Sequence, residues 1–152
     1  MQPGDLETAR QLNAVLGPLR RAVLRRTRGA AGLPDLPEAQ IAMLRELIAM
    51  GSGTPREVAE RLRVAQSTVS NLVRAMTTAG LIHRTASEVD LRTAHLTPTD
   101  RAADLVARYD RTSSATLDQA IRALRPQHRR ALRAAVPALS ELLTELEHTD
   151  TA

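Results

Sequence analysis

Apolar residues recur at intervals of three and four along most of the chain, and this spacing predicts amphipathic α-helices. The first apolar stripe runs from Asp5 to about Arg26. Gly17 and Pro18 interrupt it, and we expect a kink or a break there, because proline removes a helix hydrogen bond and crowds the preceding turn. The Gly- and Pro-rich sequence of residues 29–37 follows as a linker.

Three shorter stripes come after the linker. One begins at residues 37–38 and ends at Met50, before a Gly-Ser-Gly turn. The other two lie between Thr54 and Gly80 and are joined by a tight turn, in which Val64 is an expected apolar plug. This order predicts one helix followed by a helix-turn-helix.

The first helix of the pair carries a complete start signal. Thr54 can cap the N-terminus, Pro55 suits the first helical position, and Glu57 completes a capping box. The second helix is expected to end at Gly80, which fits a left-handed cap.

The second helix also has a polar face with an unusual inventory of side chains. Short hydroxyls, two amides and one guanidinium alternate with its apolar positions: Gln66, Ser67, Thr68, Ser70, Asn71 and Arg74. Amides read adenine edges, arginine reads guanine or phosphate, and small hydroxyls suit a close approach to the backbone of DNA. The alternative is an ordinary solvated face. The capped helix before it and the segment after it favour DNA.

Beyond Gly80 the pattern changes from a helical to an alternating period. Residues 81–97 have an apolar start, a polar middle and an end in which Arg92, Ala94 and Leu96 share one face, which predicts a β-hairpin. A helix, a helix-turn-helix and a hairpin together define a winged helix-turn-helix, whose wing can reach a minor groove. The expected fold class is mainly α with a small β-hairpin wing.

Two long helices are predicted after the hairpin. Thr97, Pro98 and Asp100 form a second capping-box pattern, so we expect the first of them to start at Pro98. Pro126 opens the second, and Pro137 is expected to bend it. These helices carry more apolar surface than one small winged helix-turn-helix region can cover. This surplus predicts a homodimer built on the N- and C-terminal helices.

Composition narrows the choice of function. The 152 residues contain 21 basic residues, all arginine, against 17 acids, a net charge of +4, and no cysteine. The absence of cysteine excludes disulfides and thiolate metal sites, and no apolar run is long enough for a membrane span, so we expect a cytoplasmic protein without a membrane partner. His83 and His95 are too few for a closed zinc site, and we predict no metal and no cofactor.

Residues from Leu36 to about Val106 resemble the MarR family of bacterial transcription regulators. The segments that carry the resemblance are PEAQIAMLRELI, TPREVAERLRVAQSTVSNLVRAMTTAGLIHR and HLTPTDRAADLV. The resemblance implies a winged helix-turn-helix dimer that places its recognition helices in the major groove of a near-palindromic operator, and a small ligand that weakens binding. We therefore expect three regions: residues 1–35 and 98–152 for dimerisation and residues 36–97 for DNA binding.

The resemblance also assigns roles to single residues. The six polar residues of the second helix would face the groove, Thr54 and Arg56 would lie near the DNA backbone, and Arg84 and Arg92 would belong to the wing. The family's usual Asp-x-Arg pattern in the wing is altered, since Glu88 and Asp90 occupy its ordinary place and Asp90 and Arg92 repeat the spacing two residues later. Two explanations are open: the strand register of the hairpin is shifted relative to the family pattern, or the contact of the wing with the minor groove is changed.

Three functions of different classes are compatible with these patterns. The first is a ligand-responsive repressor that binds double-stranded DNA as a homodimer. The second is a winged-helix module for protein interaction or dimerisation, which an acidic wing would favour. The third is an enzyme. The sequence shows no nucleophile paired with a base, no Gly-rich phosphate loop and no cluster of residues at the spacing of metal ligands, so it does not favour this function. We predict the first, with its effector unidentified.

Overall fold

A computed structural model describes residues 3–30, 32–86 and 94–149 of the chain. These residues form six helices and one two-stranded antiparallel sheet. In chain order the elements are α1 Pro3–Gly29, α2 Glu38–Met50, α3 Pro55–Leu62, α4 Gln66–Thr78, β1 Ile82–Ala86, β2 Ala94–Pro98, α5 Asp100–Arg122 and α6 Pro126–Thr149. The chain divides into two compact units, Met1–Ser113 and Ser114–Ala152. The predicted fold class, a mainly helical winged helix-turn-helix, is confirmed.

Two internal prolines are accommodated within long helices. The expected break at Gly17 and Pro18 does not occur, since α1 continues through both residues to Gly29. Proline costs a helix one hydrogen bond, but its fixed φ is itself helical, so the bonds on either side can hold the helix together. Helix α6 likewise continues through Pro137.

The core is aliphatic, as an almost aromatic-free composition requires. It gathers the apolar faces of α2, α3 and α4 with the start of the hairpin and the first half of α5. Its fully enclosed side chains include Met43, Leu44, Leu47, Val58, Val69, Met76 and Leu96. In the part of the chain that the structure describes, no helix is both long and apolar enough to cross a membrane.

Tyr109, the single aromatic residue, secures the linker between α1 and α2. Its ring is buried in the core, and its hydroxyl donates to the carbonyl of Pro34 and accepts from the amide of Leu36, with the N···O distance 3.4 Å in the second bond. Arg28 at the end of α1 donates to the carbonyl of Leu36 at 2.9 Å. The polar backbone of the linker is thus bonded to side chains of α1 and α5, as a partly buried loop requires.

The wing stem is tied to the loop between α2 and α3. Strands β1 and β2 pair so that Arg84 lies opposite Leu96. Leu96 also exchanges two backbone hydrogen bonds with Gly53, at 3.0 and 2.8 Å. The predicted hairpin is therefore present in its strands. Its tip, with Glu88, Asp90 and Arg92, lies outside the described residues.

Helix α5 starts later than the sequence pattern predicts. Thr97 and Pro98 belong to β2, where they pair with His83 and Ile82, and the helix begins at Asp100. The cap is Thr99, whose Oγ1 accepts from the Ala102 amide at 3.2 Å. The predicted cap at Thr97 is wrong because Thr97 and Pro98 pair with β1, so the helix can begin only after the strand ends.

The position of the cap can be tested by a matched pair of substitutions. We expect Thr99→Ala to lower the free energy of unfolding by about 1 kcal/mol or more, since it removes the cap and a second bond, from Thr99 Oγ1 to the Gly80 carbonyl at 3.1 Å. Thr97→Ala, at the cap that the sequence pattern favours, should stay within about 0.5 kcal/mol. Urea unfolding of both variants measures the difference; a larger loss for Thr97→Ala would refute the assignment.

Candidate nucleic-acid interface

Helix α3 is fixed at its start by the predicted capping box. Thr54 Oγ1 accepts from the Glu57 amide at 3.2 Å, and Glu57 Oε2 accepts from the Thr54 amide at 2.7 Å. The Thr54 hydroxyl also donates to Glu57 Oε2 at 2.9 Å, and the two bonds that this carboxylate accepts, from the amide first and then the hydroxyl, lower the pKa of Glu57; nearby His95 adds to the effect. Because the Thr54 hydroxyl serves the cap, its first role is to set where α3 begins.

The turn between α3 and α4 depends on an arginine in an unusual conformation. Arg63 has φ of 52°, in the left-handed region that favours glycine. The Arg63 amide donates to Glu60 O at 3.2 Å and the Val64 amide to Ala59 O at 3.1 Å, which closes the helix end. Val64 is 39% exposed, so the expected apolar plug is wrong. The left-handed residue makes the turn tight without one.

Helix α4 presents a polar ridge because its opposite face is buried. Val69, Val73 and Met76 pack into the core, and the ridge opposite them consists of positions i, i+4, i+7 and i+11: Ser67, Asn71, Arg74 and Thr78, all exposed. Asn71 lies at the centre of this ridge. The arrangement provides an amide and a guanidinium on one row, as a major-groove reader needs.

The other predicted residues of α4 lie beside the ridge. Ser70 donates its hydroxyl to the Gln66 carbonyl at 3.0 Å, so that proton is already engaged within the helix. Thr68 is exposed on the flank towards Leu72. Gln66 lines a shallow cavity with residues of α3 and the turn.

Arg56 is paired within its own helix. Its Nε lies 2.9 Å from Glu60 Oε1, and this hydrogen bond together with the charge of Glu60 raises the pKa of the arginine. Both side chains are exposed, so the pair adds little to stability. A contact from Arg56 to a phosphate would therefore compete with Glu60.

Arg84 lies on the side of the wing that faces the helices. It is opposite Leu96, which is fully buried, and directly paired residues of antiparallel strands share a face. Together with Arg74 it lines a cavity of about 320 Å³ between α4 and β1. Of the predicted wing arginines, Arg84 thus lies close to α4, which we call the reading helix. Arg92 is outside the described residues.

His83 and His95 are not directly opposite each other in the hairpin. His83 pairs with Thr97 and His95 with Thr85, so the two imidazoles occupy diagonal positions on the outer face of the hairpin. Within residues 3–30, 32–86 and 94–149 no group of three or more potential metal ligands is found.

A further cavity lies beside α5 in the first compact unit. Its volume is about 710 Å³, and its lining combines Gly32 and Pro34 of the linker with Arg101, Asp104, Leu105 and Arg108. Arg101 also donates from Nη1 to the carbonyl of Ala79, at the C-terminal end of α4, at 3.1 Å. One guanidinium thus belongs both to this cavity and to the end of the reading helix.

A helix with a one-sided polar ridge, preceded by a capped helix and followed by a hairpin that packs against it, defines a winged helix-turn-helix protein. The MarR family model matches residues 32–93, which contain α2, α3, α4 and β1. This segment is therefore similar to the MarR family, whose members are transcription regulators. No protein of curated function matches the chain in sequence.

Solved structures share the fold over nearly the whole chain. A putative transcriptional regulator from Pseudomonas aeruginosa has a TM-score of 0.79 at 24% identity, covering 94% of this chain and 99% of its own. YusO of Bacillus subtilis has a TM-score of 0.71 at 21% identity, covering 93% and 99%. FabT of Streptococcus pneumoniae, in complex with DNA, has a TM-score of 0.68 at 20% identity, covering 91% and 99%. At these identities the likeness shows the fold.

Two residues of this region were missed by sequence reasoning. Arg63 gave no signal because only glycine or asparagine marks a left-handed turn in sequence. Arg101 gave none because its bond to Ala79 joins positions 22 residues apart. Both lie next to the reading helix, one at each end.

The cost of the left-handed turn can be measured with two glycine substitutions. We expect Arg63→Gly to leave the free energy of unfolding unchanged or to raise it by up to about 1 kcal/mol, because glycine adopts this φ without a steric penalty. Arg61→Gly, inside α3, should lower it by about 1 kcal/mol. Chemical unfolding compares the two. Equal losses would show that the turn stores no strain.

Proposed function

We propose that this protein is a MarR-family repressor that binds a near-palindromic site in double-stranded DNA as a homodimer and releases it when a small ligand binds. The observation that carries the proposal is the exposed ridge of α4, with Asn71 at its centre. A buried opposite face fixes the helix, so this polar row is held outward, where a major groove can receive it. Such a protein acts in the cytoplasm.

The wing supports the same function from its position. It packs against α4 and is bonded to the α2–α3 loop through Gly53 and Leu96. A hairpin held beside a recognition helix is placed to follow the duplex into the neighbouring groove. That FabT, which shares the fold, has been crystallised with DNA agrees with this use of the fold.

Exposed apolar side chains on the terminal helices support dimerisation. On α1 they include Val15, Leu16 and Leu19, about half exposed. On α6 they form a row along the helix: Leu132, Val136, Leu139, Leu142, Leu143 and Leu146. A continuous apolar row at helical spacing is costly in water and is the usual surface for a second helix. A second copy of the chain would cover it and pair two reading heads, as the two halves of a palindrome require.

The first experiment selects binding sites from a pool of random duplexes with the purified protein. We expect a two-fold symmetric sequence, bound by two protomers, and at least about a thousandfold preference over random DNA at physiological salt. Light scattering should give twice the chain mass for the free protein. Enrichment of no sequence would contradict the proposal and favour the protein-interaction module, in which the polar ridge contacts a protein.

The role of Asn71 is tested on the selected duplex. Asn71→Ala should weaken binding to it by about 1 to 3 kcal/mol and change binding to random DNA far less, because a bidentate amide discriminates between bases. The chain contains one other asparagine, Asn13, which is exposed on α1. Asn13→Ala is the matched control and should bind as the unaltered protein does. Equal losses on both duplexes would rule out base reading by Asn71.

Ligand response is assigned to the α5 cavity. Its arginines favour an anion, Leu105 and Pro34 provide apolar wall, and Arg101 connects it to the end of α4. An anion that draws the Arg101 guanidinium into the cavity competes with the Ala79 carbonyl and so disturbs the reading helix. The proposed effector class is a small organic acid with an apolar body.

Calorimetry with benzoate, as a simple aromatic acid, tests the cavity. We expect binding that raises the melting temperature and lowers DNA affinity, and the loss of both effects in Arg108→Ala. Arg122→Ala is the matched control, because this arginine lies on the same helix but does not line the cavity. A ligand effect that survives Arg108→Ala would place the site elsewhere.

A further inference from the structure

The cavity between α4 and β1 has the lining of an anion-binding site. Two arginines from different elements line it, Arg74 from α4 and Arg84 from β1. The remaining lining is made by the hydroxyl residues Ser70, Thr77 and Thr78 and by Val73 and Pro55. Arg74 therefore belongs both to the exposed ridge and to this cavity.

The charge of the cavity distinguishes it from its neighbours. The shallow cavity near Gln66 contains Glu60, which pairs with Arg56, and the α5 cavity contains Asp104. Among the described residues that line the α4–β1 cavity, none is acidic. Nor does Arg74 or Arg84 form an ion pair with any residue in the ranges that the structure covers. Two positive charges in one recess attract an anion strongly.

The donors of the cavity suit a tetrahedral oxyanion. Ser70 and Thr78 give their hydroxyl protons to carbonyls of their own helix, each at 3.0 Å. The donors that can turn to a ligand are then the two guanidiniums and the Thr77 hydroxyl. Guanidinium groups bind phosphate oxygens in pairs of parallel hydrogen bonds. A volume of about 320 Å³, roughly that of ten water molecules, admits a phosphate group that keeps part of its hydration.

The position of the cavity identifies the source of the phosphate. Because Arg84 is on the inner face of the wing and Arg74 is on the ridge of α4, the recess opens between the element expected in the major groove and the element expected to reach the minor groove. The strand of DNA that separates two adjacent grooves carries a phosphate at that place.

From these observations we infer that Arg74 and Arg84 together hold one phosphate of the DNA backbone, in the recess between α4 and β1. The inference rests on the proposed DNA-binding function and refines it, since it changes Arg74 from a reader of bases to a positioning contact. Sequence selectivity then depends on the outer part of the ridge, around Ser67 and Asn71, while the shared phosphate sets the register of the helix in the groove.

The salt dependence of binding tests whether one phosphate is shared. Arg74→Ala/Arg84→Ala in one chain should reduce the slope of log affinity against log salt by about 0.9 per bound protomer, on selected and on random duplexes alike. Two separate phosphates would reduce it by about 1.8 per protomer. Arg61→Ala, which removes an arginine that pairs with Glu46 instead, is the matched control and should keep the slope. A double variant with the unaltered slope would overturn the inference.

A second measurement uses duplexes in which one phosphate at a time is replaced by neutral methylphosphonate. The unaltered protein should lose on the order of tenfold in affinity at one position of each half-site, as expected for a charged hydrogen-bonded contact. The double variant should show no loss at that position. Losses at two different positions, one cancelled by each single variant, would contradict a shared phosphate.

Lysine substitutions separate a phosphate contact from base reading. Arg74→Lys should keep the salt slope and the preference for the selected duplex over random DNA, because lysine still binds phosphate as a point charge. If Arg74 instead reads a guanine, this preference should fall on the order of tenfold or more. The proposed function fails by a different result, namely an unaltered protein that prefers no sequence. The salt slopes on random DNA would then still decide for or against the phosphate site.

Discussion

The reading surface depends on the one-sided burial of α4. Val69, Val73 and Met76 lie within two turns of each other on a single face and are almost entirely enclosed by α2, α3 and the hairpin. Removing their apolar area from water stabilises the fold by several kcal/mol at the usual coefficient for buried surface. Since the three side chains fix the rotation of the helix about its axis, they also decide which residues point outward. Burial therefore determines the polar ridge, although no ridge residue takes part in it.

Polar contacts then fix the two ends of the helix. At its start, the left-handed Arg63 reverses the chain after α3. At its end, Arg101 and Thr99 bond to the carbonyls of Ala79 and Gly80. These bonds satisfy carbonyls that a helix end otherwise leaves exposed, and they do so from the first turn of α5. The C-terminal end of α4 is thus hydrogen-bonded to the first turn of α5. A displacement of that turn would therefore act directly on α4.

Sequence patterns predicted the elements well because local signals dominate them. The capping box of Thr54 and Glu57 depends on residues three apart, and the buried face of α4 depends on a simple period. The start of α5 was predicted wrongly because Thr97 and Thr99 both resemble caps, and only pairing with β1 decides between them.

The site was less accessible to sequence reasoning than the fold. Each arginine could be named as a DNA contact, but that Arg74 and Arg84 share a recess follows from strand register and helix packing. The same is true of Arg101, whose two neighbours, the α5 cavity and Ala79, are brought together only by the folded chain. Local patterns identify which residues are suited to a task; tertiary structure decides which of them act on the same atom.

The bridge between Gly53 and Leu96 has a consequence for the proposed binding to DNA. Because the α2–α3 loop, the start of α3 and the wing stem share this bridge, the wing stem has no independent hinge relative to the helix pair. The contacts made by α4 and by the wing are then held at a fixed distance and orientation along the duplex. One extra base pair between the two grooves rotates the distant contact by about 34 to 36° around the helix axis. A wing that cannot move relative to α4 cannot follow that rotation. Sites bound by this protein should therefore tolerate changes of sequence more readily than changes in the spacing between the two contacts.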